Sequence, residues 1–508
     1  MLLADVVATS LAVAATRSRT AKTAALAELL AGLDDPDDVV TVTAYLAGAL
    51  RQRRTGLGWR SLGDLPPPAD EASLTVSEVH AAFEAMSTFS GAGSQAARAA
   101  AVSALFARAT ADEQAWLRSI VTGEVRQGAL DSLVQEALAV AGGVPATSVR
   151  RAAMMAGSTV DVAVAALTGG EQALAAFVLQ VGRPVLPMLA SSAGSVAEAM
   201  AKAGGGTVAI DTKLDGVRIQ VHRRDDEVLV VTRSLDDVTS RHPEVVEAAL
   251  ALPRSEVVLD GEVLALGPDG RPRPFQETAS RAASAAGVEL TPAFFDVLHL
   301  DGRDLVDSPT HERLEVLASL VRPEHLVPRL LTDDAAEAEE FTARVLELGH
   351  EGVVVKSLSA PYAAGRRGAT WVKVKPVHTL DLVVLAVERG SGRRSEWLSN
   401  IHLGARDPRS GELVMLGKTF KGMTDEVLRW QTERFRELET SDDGYVVTVR
   451  PEQVVEIAFD GVQRSTRYPG GVALRFARVV GYRDDKSAAD ADTLDTVRSY
   501  LPGVTDPG

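Results

Sequence analysis

The chain has 508 residues, which is too long for a single hydrophobic core and suggests about three domains. It contains no cysteine, which excludes disulfides, a thiolate zinc site and a cysteine nucleophile and fits a reducing cytoplasm. Its formal net charge of −16 speaks against a generally basic surface for nucleic acid, although a local basic stripe can still dominate one face.

No stretch of about eighteen uncharged apolar residues occurs, so the sequence predicts no transmembrane helix. The N-terminal stretch MLLADVVATSLAVAATRSRT is mildly apolar, but Asp5 interrupts it and no basic segment precedes it. We interpret it as the first helix of the fold and not as a signal peptide.

Residues 1–190 are predicted to form an all-α domain. Apolar residues recur at helical spacing in ALAELLAGL, SEVHAAFEAM, AARAAAVSALFARA and LDSLVQEALAVA. Two small-residue loops, 87–94 and 123–128, could offer N–H groups or the arginine at position 126 to a phosphate, but an ordinary helix N-cap is the simpler interpretation of the first. The stretch RPVLPML (183–189) breaks the helical pattern and is predicted to close this domain.

Residues 191–376 are predicted to form an α+β domain. The stretches VLVVTRS, EVVLDGEVLAL, AFFDVLHLDG, EGVVVKS and WVKVK carry strand signatures, and HPEVVEAALAL and AEAEEFTARVLELG are helical inserts between them. The acidic run Asp333 to Glu340 is most simply the first turn and solvated face of the second insert.

Residues 377–508 are predicted to form a small β-barrel of the oligonucleotide-binding (OB) kind. The strands LDLVVLAVERG, LVMLGKTFKG, YVVTVRP and VVEIAFDGVQ surround one helix near Thr424 to Glu439. The tail from Asp484 is predicted to be a short helix with a frayed end.

The stretch AIDTKLDGVR organises the middle of the chain. An apolar run leads into Lys213, and Asp215-Gly216 predicts a tight hairpin turn between two strands. Lys213 would then reach into a cleft between sheets. An isolated K-x-D-G is more simply a solvated hairpin lysine, so the interpretation depends on the residues that follow.

Those residues are polar or aromatic groups near the ends of apolar strands. Charged residues bracketed by valines are unusual unless they are paired or functional. A cleft dense in Lys, Arg and Glu suits a metal–nucleotide polyphosphate. The residues are Arg218, Arg233, Glu262, Phe295, Asp296, Glu351, Lys356, Arg367, Lys373 and Lys375.

In this order, KLDGVR, TRSLDD, DGEV, FFDVLHLDG, EGVVVK and WVKVK resemble the motif set of the covalent nucleotidyltransferases, which include the ATP-dependent DNA ligases of bacterial and archaeal three-domain form. The N-terminal helical region resembles their DNA-binding domain. The stretches KTFKGMTDE and ALRFARVVGYRDDK resemble their OB-fold domain and final motif.

The resemblance implies that Lys213 attacks the α-phosphate of ATP and forms a lysyl–AMP phosphoramidate. Attack needs the neutral amine, and Lys356, Lys373, Lys375 and a bound divalent metal are expected to disfavour a further positive charge nearby. The metal would be Mg²⁺ or Mn²⁺, held by Glu351 and by Glu262, which could instead hold the ribose.

The resemblance also implies roles for the remaining groups. Phe295 would stack on adenine, although a core aromatic is an equally good interpretation of its sequence. Bidentate Arg218 and Arg233 would contact the nucleotide and later the DNA 5′-phosphate. Arg367 and Lys373 would grip the ATP phosphates. The final motif would orient pyrophosphate when the barrel closes, through Arg475, Arg478, Asp485 and Lys486.

One residue departs from the pattern of many family members. They have Glu two residues before the nucleophile, and this chain has Asp211. The resemblance implies that this carboxylate accepts a hydrogen bond from the adenine amino group. A side chain shorter by one methylene puts base selectivity in question more than catalysis.

We therefore expect a monomeric cytoplasmic, nucleoid-associated ligase that seals nicked duplex DNA, gripping it mainly through phosphates. A sliding clamp or a repair protein is a further candidate partner that the sequence does not resolve. The alternatives are an RNA ligase or capping-type nucleotidyltransferase, which generally lacks the long helical domain, and a non-catalytic nucleic-acid-binding protein of the same fold. An NAD-dependent ligase is disfavoured because its cysteine zinc site is impossible here.

Overall fold

The computed structural model describes residues 1–52, 54–125, 127, 131–284, 287–363, 367–390 and 394–501, and Arg367 by its backbone alone. The arginine at position 126, in the second predicted phosphate loop, and the side chain of Arg367 therefore lie outside the described residues.

The N-terminal part is helical. The helices predicted from apolar periodicity are α2, α4, α5 and α7, and the N-terminal stretch is α1. Capping boxes begin α4 and α6, where Glu78 and Glu113 reach back to Thr75 and Thr110. The described helices are α1 (Leu3–Ala15), α2 (Arg19–Ala31), α3 (Pro36–Leu46), α4 (Val76–Thr88), α5 (Ser94–Phe106), α6 (Ala111–Val121), α7 (Asp131–Gly142), α8 (Ala146–Ala156) and α9 (Gly170–Ala175).

In the described chain no single helix is long and apolar enough to cross a membrane. One pair, Ala146–Ala156 with Val160–Ala175, meets the criteria of length and composition only when joined, and it is bent by 120°.

The central part contains two five-stranded sheets. The first has the order β1-β10-β9-β2-β8, and the second has the order β4-β3-β5-β6-β7. The strands are β1 (Leu189–Ala193), β2 (Val208–Lys213), β3 (Val217–Arg224), β4 (Glu227–Thr232), β5 (Glu256–Ala265), β6 (Leu290–Leu300), β7 (Arg303–Asp304), β8 (Arg329–Thr332), β9 (Gly352–Ser357) and β10 (Arg367–Val374). The accompanying helices are α10 (Val196–Lys202), α11 (Pro243–Leu250), α12 (Phe275–Ala283), α13 (Thr310–Leu320) and α14 (Ala335–Glu347).

Alternation along β2, β9 and β10 explains the charged residues between valines. Successive side chains of a strand point to opposite faces. Ile210, Val353 and Val355 are fully buried against α10 and α14. The residues between them, including Asp211 and Lys356, face the other way, toward the second sheet. The charged positions are therefore the cleft face of a sheet whose opposite face is core.

The predicted hairpin at Asp215-Gly216 is wrong. β2 and β3 belong to different sheets, so the chain crosses from one to the other after Lys213. Gly216 does not adopt a positive φ. It is needed because a Cβ there would lie 2.5 Å from the carbonyl oxygen of Val263 in β5. The glycine thus permits a close backbone approach, and the crossing places Lys213 between the two sheets.

The C-terminal part is strand-rich. β11 lies in the middle of a seven-stranded sheet and pairs with β12, β15 and β16. Phe435 of α15 is buried in the same hydrophobic core as Phe459 of β16. The elements are β11 (His378–Arg389), β12 (Leu398–Arg406), β13 (Leu413–Thr419), α15 (Asp425–Glu437), β14 (Glu439–Asp442), β15 (Val446–Val449), β16 (Val454–Phe459), β17 (Gly461–Arg464), β18 (Val472–Arg475), β19 (Arg478–Arg483) and α16 (Leu494–Ser499).

The predicted fold class, an all-α part followed by an α+β part and a strand-rich barrel domain, is confirmed. The domain boundaries at residues 190/191 and 376/377 stay predictions, and β1 runs across the first of them.

Candidate active site

A cavity of about 780 Å³ lies between the two central sheets and is also lined by the C-terminal domain. It brings together most of the residues selected from the sequence: Asp211, Lys213, Arg218, Arg233, Glu262, Phe295, Glu351, Lys356, Lys373, Lys375 and Arg475. Four others are not among the lining residues. Arg478 contacts Asp460, Asp485 pairs with Arg483, Lys486 pairs with Asp381, and Asp296 is fully buried against Arg313.

Lys213 is paired with a carboxylate. Its amine donates to Oε2 of Glu351, and Lys375 donates to Oε1 of the same group. Glu351 is placed by its backbone N–H, which donates to the carbonyl oxygen of Lys213 at 3.1 Å. Burial opposes ionisation of Glu351, but the two ammonium groups hold its pKa below the ordinary value. The nearest described partner of the candidate nucleophile is thus an anion, whereas the sequence predicted surrounding cations.

Glu262 presents an unsatisfied carboxylate oxygen. Its Oε2 is buried and has no hydrogen-bond partner among the described residues. Burial raises the pKa of Glu262 to about 7, against the nearby charges of Lys213 and Arg218. A buried oxygen without a partner is costly and suits a metal ion or a ligand hydroxyl.

Arg218 is largely used by the protein itself. Its guanidinium forms a bidentate pair with Asp260 at 3.0 and 2.6 Å, donates to the carbonyl oxygen of Met188 at 2.6 Å and donates to the hydroxyl of Tyr362 at 3.3 Å. These contacts use four of the five N–H groups of an arginine. Arg218 lines the cavity, but a bidentate contact with a phosphate would require it to release one of these partners.

Aromatic rings form one end of the cavity. Phe295 and Trp371 pack edge to face with their centroids 5.8 Å apart. Phe295 occupies a β-bulge, because Gly261 pairs with Phe294 and Asp260 pairs with Asp296. A bulge re-aims a side chain and frees its backbone groups from the ladder. Trp371, which the sequence analysis did not select, completes this end.

Asp211 also lines the cavity and is held by two cations. Arg329 donates to both of its carboxylate oxygens, one contact measuring 2.8 Å, and Lys356 donates to Oδ2 at 2.7 Å. The Lys356 amine lies 4.6 Å from the ring centroid of Phe295. Lys356 is therefore at the aromatic end of the cavity.

The C-terminal domain reaches the cavity through Arg475 and Phe476. Arg475 forms a bidentate pair with Asp215 at 2.6 and 3.1 Å. Asp460 accepts from Lys375 at 2.8 Å. Phe476 lines the cavity and has a φ of 55°, a strained conformation for a bulky residue.

Comparisons with known proteins identify the family. Residues 60–139, 187–375 and 394–486 match the family models described as DNA ligase N terminus, ATP dependent DNA ligase domain and ATP dependent DNA ligase C terminal region. A protein named "Probable DNA ligase" from a Nocardioides species is 71% identical over 505 residues, covering 99% of both chains. The chain belongs to the ATP-dependent DNA ligase family.

A second "Probable DNA ligase", from Kineococcus radiotolerans, is 68% identical over 98% of this chain and 99% of that one. A solved structure described as "Pmar-Lig_PreS3" matches with a TM-score of 0.60 over 94% of this chain and 99% of that chain, at 18% identity, which supports the fold. The protein is thus a nucleotidyltransferase that joins nicked DNA with ATP, as predicted, and the family uses an AMP adduct and a divalent metal.

Sequence reasoning missed several residues that shape this ligase cavity. Trp371 and Asp215 lie within the recognised motifs WVKVK and KLDG, so inspecting every side chain of each motif would have found them. Arg329 and Asp460 lie in no recognised motif. Their contacts depend on strand register and on how the C-terminal domain docks, which the sequence does not display.

Proposed function

We propose that Lys213 is the nucleophile that takes AMP from ATP, that AMP then passes to the 5′-phosphate of a nick, and that the 3′-hydroxyl displaces AMP and closes the strand. The observation that carries this proposal is the position of Lys213 in the cavity, at the end of β2 and in contact with Glu351. In the first step a bond forms between the lysine nitrogen and the α-phosphorus, and the bond to pyrophosphate breaks.

Attack requires the neutral amine, so Lys213 must lose its proton and its ammonium contact with Glu351. The cations Lys373, Lys375 and Arg475 also line the cavity and would stabilise charge on the phosphates. The aromatic end at Phe295 and Trp371 is suited to the base. Catalysis would then come mainly from positioning and charge stabilisation.

Glu262 and Glu351 are the groups that would hold Mg²⁺ or Mn²⁺. The unpartnered Glu262 Oε2 and the carboxylate of Glu351 fit a hard cation that binds one or two carboxylates and keeps phosphate and water ligands. Bound there, the metal would supply positive charge against the phosphate oxygens.

At the level of the whole protein, we propose a monomer organised as residues 1–190, 191–376 and 377–508. It would work on nicked duplex DNA in the nucleoid, in repair or replication. The predicted clamp and repair-protein partners stay candidates.

Incubation with α-labelled ATP and Mg²⁺ tests the proposal. The wild-type protein should acquire an acid-labile, base-stable label, and Lys213→Ala should acquire none. Lys202→Ala is the matched control, because Lys202 lies on α10 and pairs with Glu198 at the surface. Label on Lys213→Ala equal to that on the control would refute the assignment of Lys213.

A further inference from the structure

Arg329 does not line the cavity itself but contacts residues that do. It lies on the edge strand β8, directly opposite Asp211 in the β2–β8 pairing, so both side chains share one face of the sheet. Asp211 lines the cavity, whereas Arg329 is not among the lining residues. Arg329 donates to both carboxylate oxygens of Asp211, so the guanidinium fixes the carboxylate from behind.

The same guanidinium also reaches the second sheet. It donates to the carbonyl oxygen of Phe295 at 3.2 Å, and Lys356 donates to that oxygen at 3.2 Å. This carbonyl is available because the bulge removes Phe295 from the β5–β6 register. Arg329 and Lys356 therefore link Asp211 to strand β6, which carries Phe295.

This arrangement restricts what Asp211 can do. Burial opposes its ionisation, but Arg329 and Lys356 outweigh burial and hold the pKa of Asp211 below the ordinary value. An ionised carboxylate only accepts hydrogen bonds. At the edge of a base it would attract an amino group and repel a keto oxygen. Adenine carries an amino group at C6, and hypoxanthine carries a keto oxygen there.

We propose that Arg329 is a specificity-determining positioning residue, which fixes Asp211 as an acceptor at the aromatic end of the cavity and thereby favours nucleotides with a 6-amino group. The inference rests on the proposed function, since it takes this cavity as the ATP site. It adds a residue that no recognised motif contains.

The test compares three nucleotides as donors for labelling of the protein: ATP, purine riboside triphosphate, which has hydrogen at C6, and ITP, which has the keto oxygen. For each variant the ratios of kcat/KM between nucleotides are measured. The wild type should prefer ATP to ITP by about tenfold or more, the size expected when a hydrogen bond with a charged partner is lost. Purine riboside triphosphate should fall between them.

Arg329→Gln should reduce the preference for ATP to roughly threefold or less, with Arg329→Lys intermediate. Arg344→Gln is the control, because Arg344 forms an exposed pair with Glu340 on α14 of the same domain. A ratio between nucleotides does not depend on the fraction of folded protein, so mere loss of stability would leave it unchanged. An unaltered ratio in Arg329→Gln would overturn the inference.

Two further measurements decide the matter if Arg329→Gln does not fold. Asp211→Asn can donate as well as accept, so it should lose the preference for ATP over ITP, and a wild-type ratio there contradicts the proposal. Arg329→Lys should show a preference for ATP that weakens as pH falls toward 5, while the wild-type ratio stays level. The proposed function fails separately, when the wild type acquires no label or when Lys213→Ala keeps it.

Discussion

The ionisation of each side chain in the cavity is set by its immediate partners, and two carboxylates that line the same cavity, Glu351 and Glu262, differ in it. Glu351 contacts two ammonium groups, and its pKa is held low. Glu262 has an unpartnered oxygen, and burial raises its pKa to about 7. The first carboxylate is thus ionised at neutral pH, whereas the second gains or loses a proton there. Binding of a metal to Glu262 is therefore expected to strengthen as pH rises through 7.

In the absence of nucleotide and metal, Glu262→Gln should raise the stability of the folded protein at pH 8 but not at pH 5. The folded-state pKa of about 7 lies above the ordinary 4.5, so the contribution of this group is most favourable below pH 4.5 and is lost as pH rises through 7. Glutamine remains neutral throughout. We expect the Tm of the variant to exceed that of the wild type by a few degrees at pH 8. An equal Tm difference between variant and wild type at both pH values would contradict this expectation. Glu340→Gln is the control, because Glu340 lies at an exposed site.

At the scale of elements, apolar periodicity predicted many of the helices and strands, but it did not predict which strands pair or in which register. Helices α2, α4, α5 and α7 and strands β4, β5, β6 and β9 follow from apolar spacing, because spacing reports which face is buried. The crossing at Gly216 and the bulge at Phe295 did not follow, since both depend on which strands pair. Strand β8 has only four residues and gives no alternation to detect, so its Arg329 was missed.

For the site, motif order predicted which residues converge on the cavity but not what each one contacts. Lys213, Glu262 and Phe295 do line it. The pairing of Lys213 with Glu351 and of Asp211 with Arg329 could not be predicted from the sequence. Long side chains on one face of a sheet can reach several partners, and the sequence does not show which one they contact.

Neighbouring valines on β9 test the two-faced sheet. Val355 is fully buried in the core against α10 and α14, whereas Val354 lines the cavity. Val355→Ala should lower the free energy of unfolding of this domain by about 2 kcal/mol, through lost burial and the cavity left behind. Val354→Ala should cost clearly less. Chemical denaturation of the two variants measures the difference, and equal costs would argue against the assigned faces.

At the scale of the whole molecule, polar contacts join the C-terminal domain to the catalytic one. Arg475 pairs with Asp215, Lys375 pairs with Asp460, and Gln276 donates to the carbonyl oxygen of Arg464 at 3.0 Å. Interfaces of this polar kind separate more readily than apolar ones. Asp215 follows Lys213 by two residues, and Lys375 and Lys213 donate to the same carboxylate, that of Glu351. Docking of the C-terminal domain therefore also completes the cavity around Lys213.

Removing one of these pairs should shift the domain arrangement. Arg475→Gln loses the bidentate contact with Asp215 and leaves that carboxylate without its cation. The fraction of molecules in which the C-terminal domain is separated from the central domain should therefore grow, and the radius of gyration should rise. Arg436→Gln is matched in chemistry but breaks pairs with Glu439 and Asp442 inside the C-terminal domain. It should leave the scattering curve unchanged. If X-ray scattering gives the same curve for Arg475→Gln and the wild type, this ion pair does not hold the domains together.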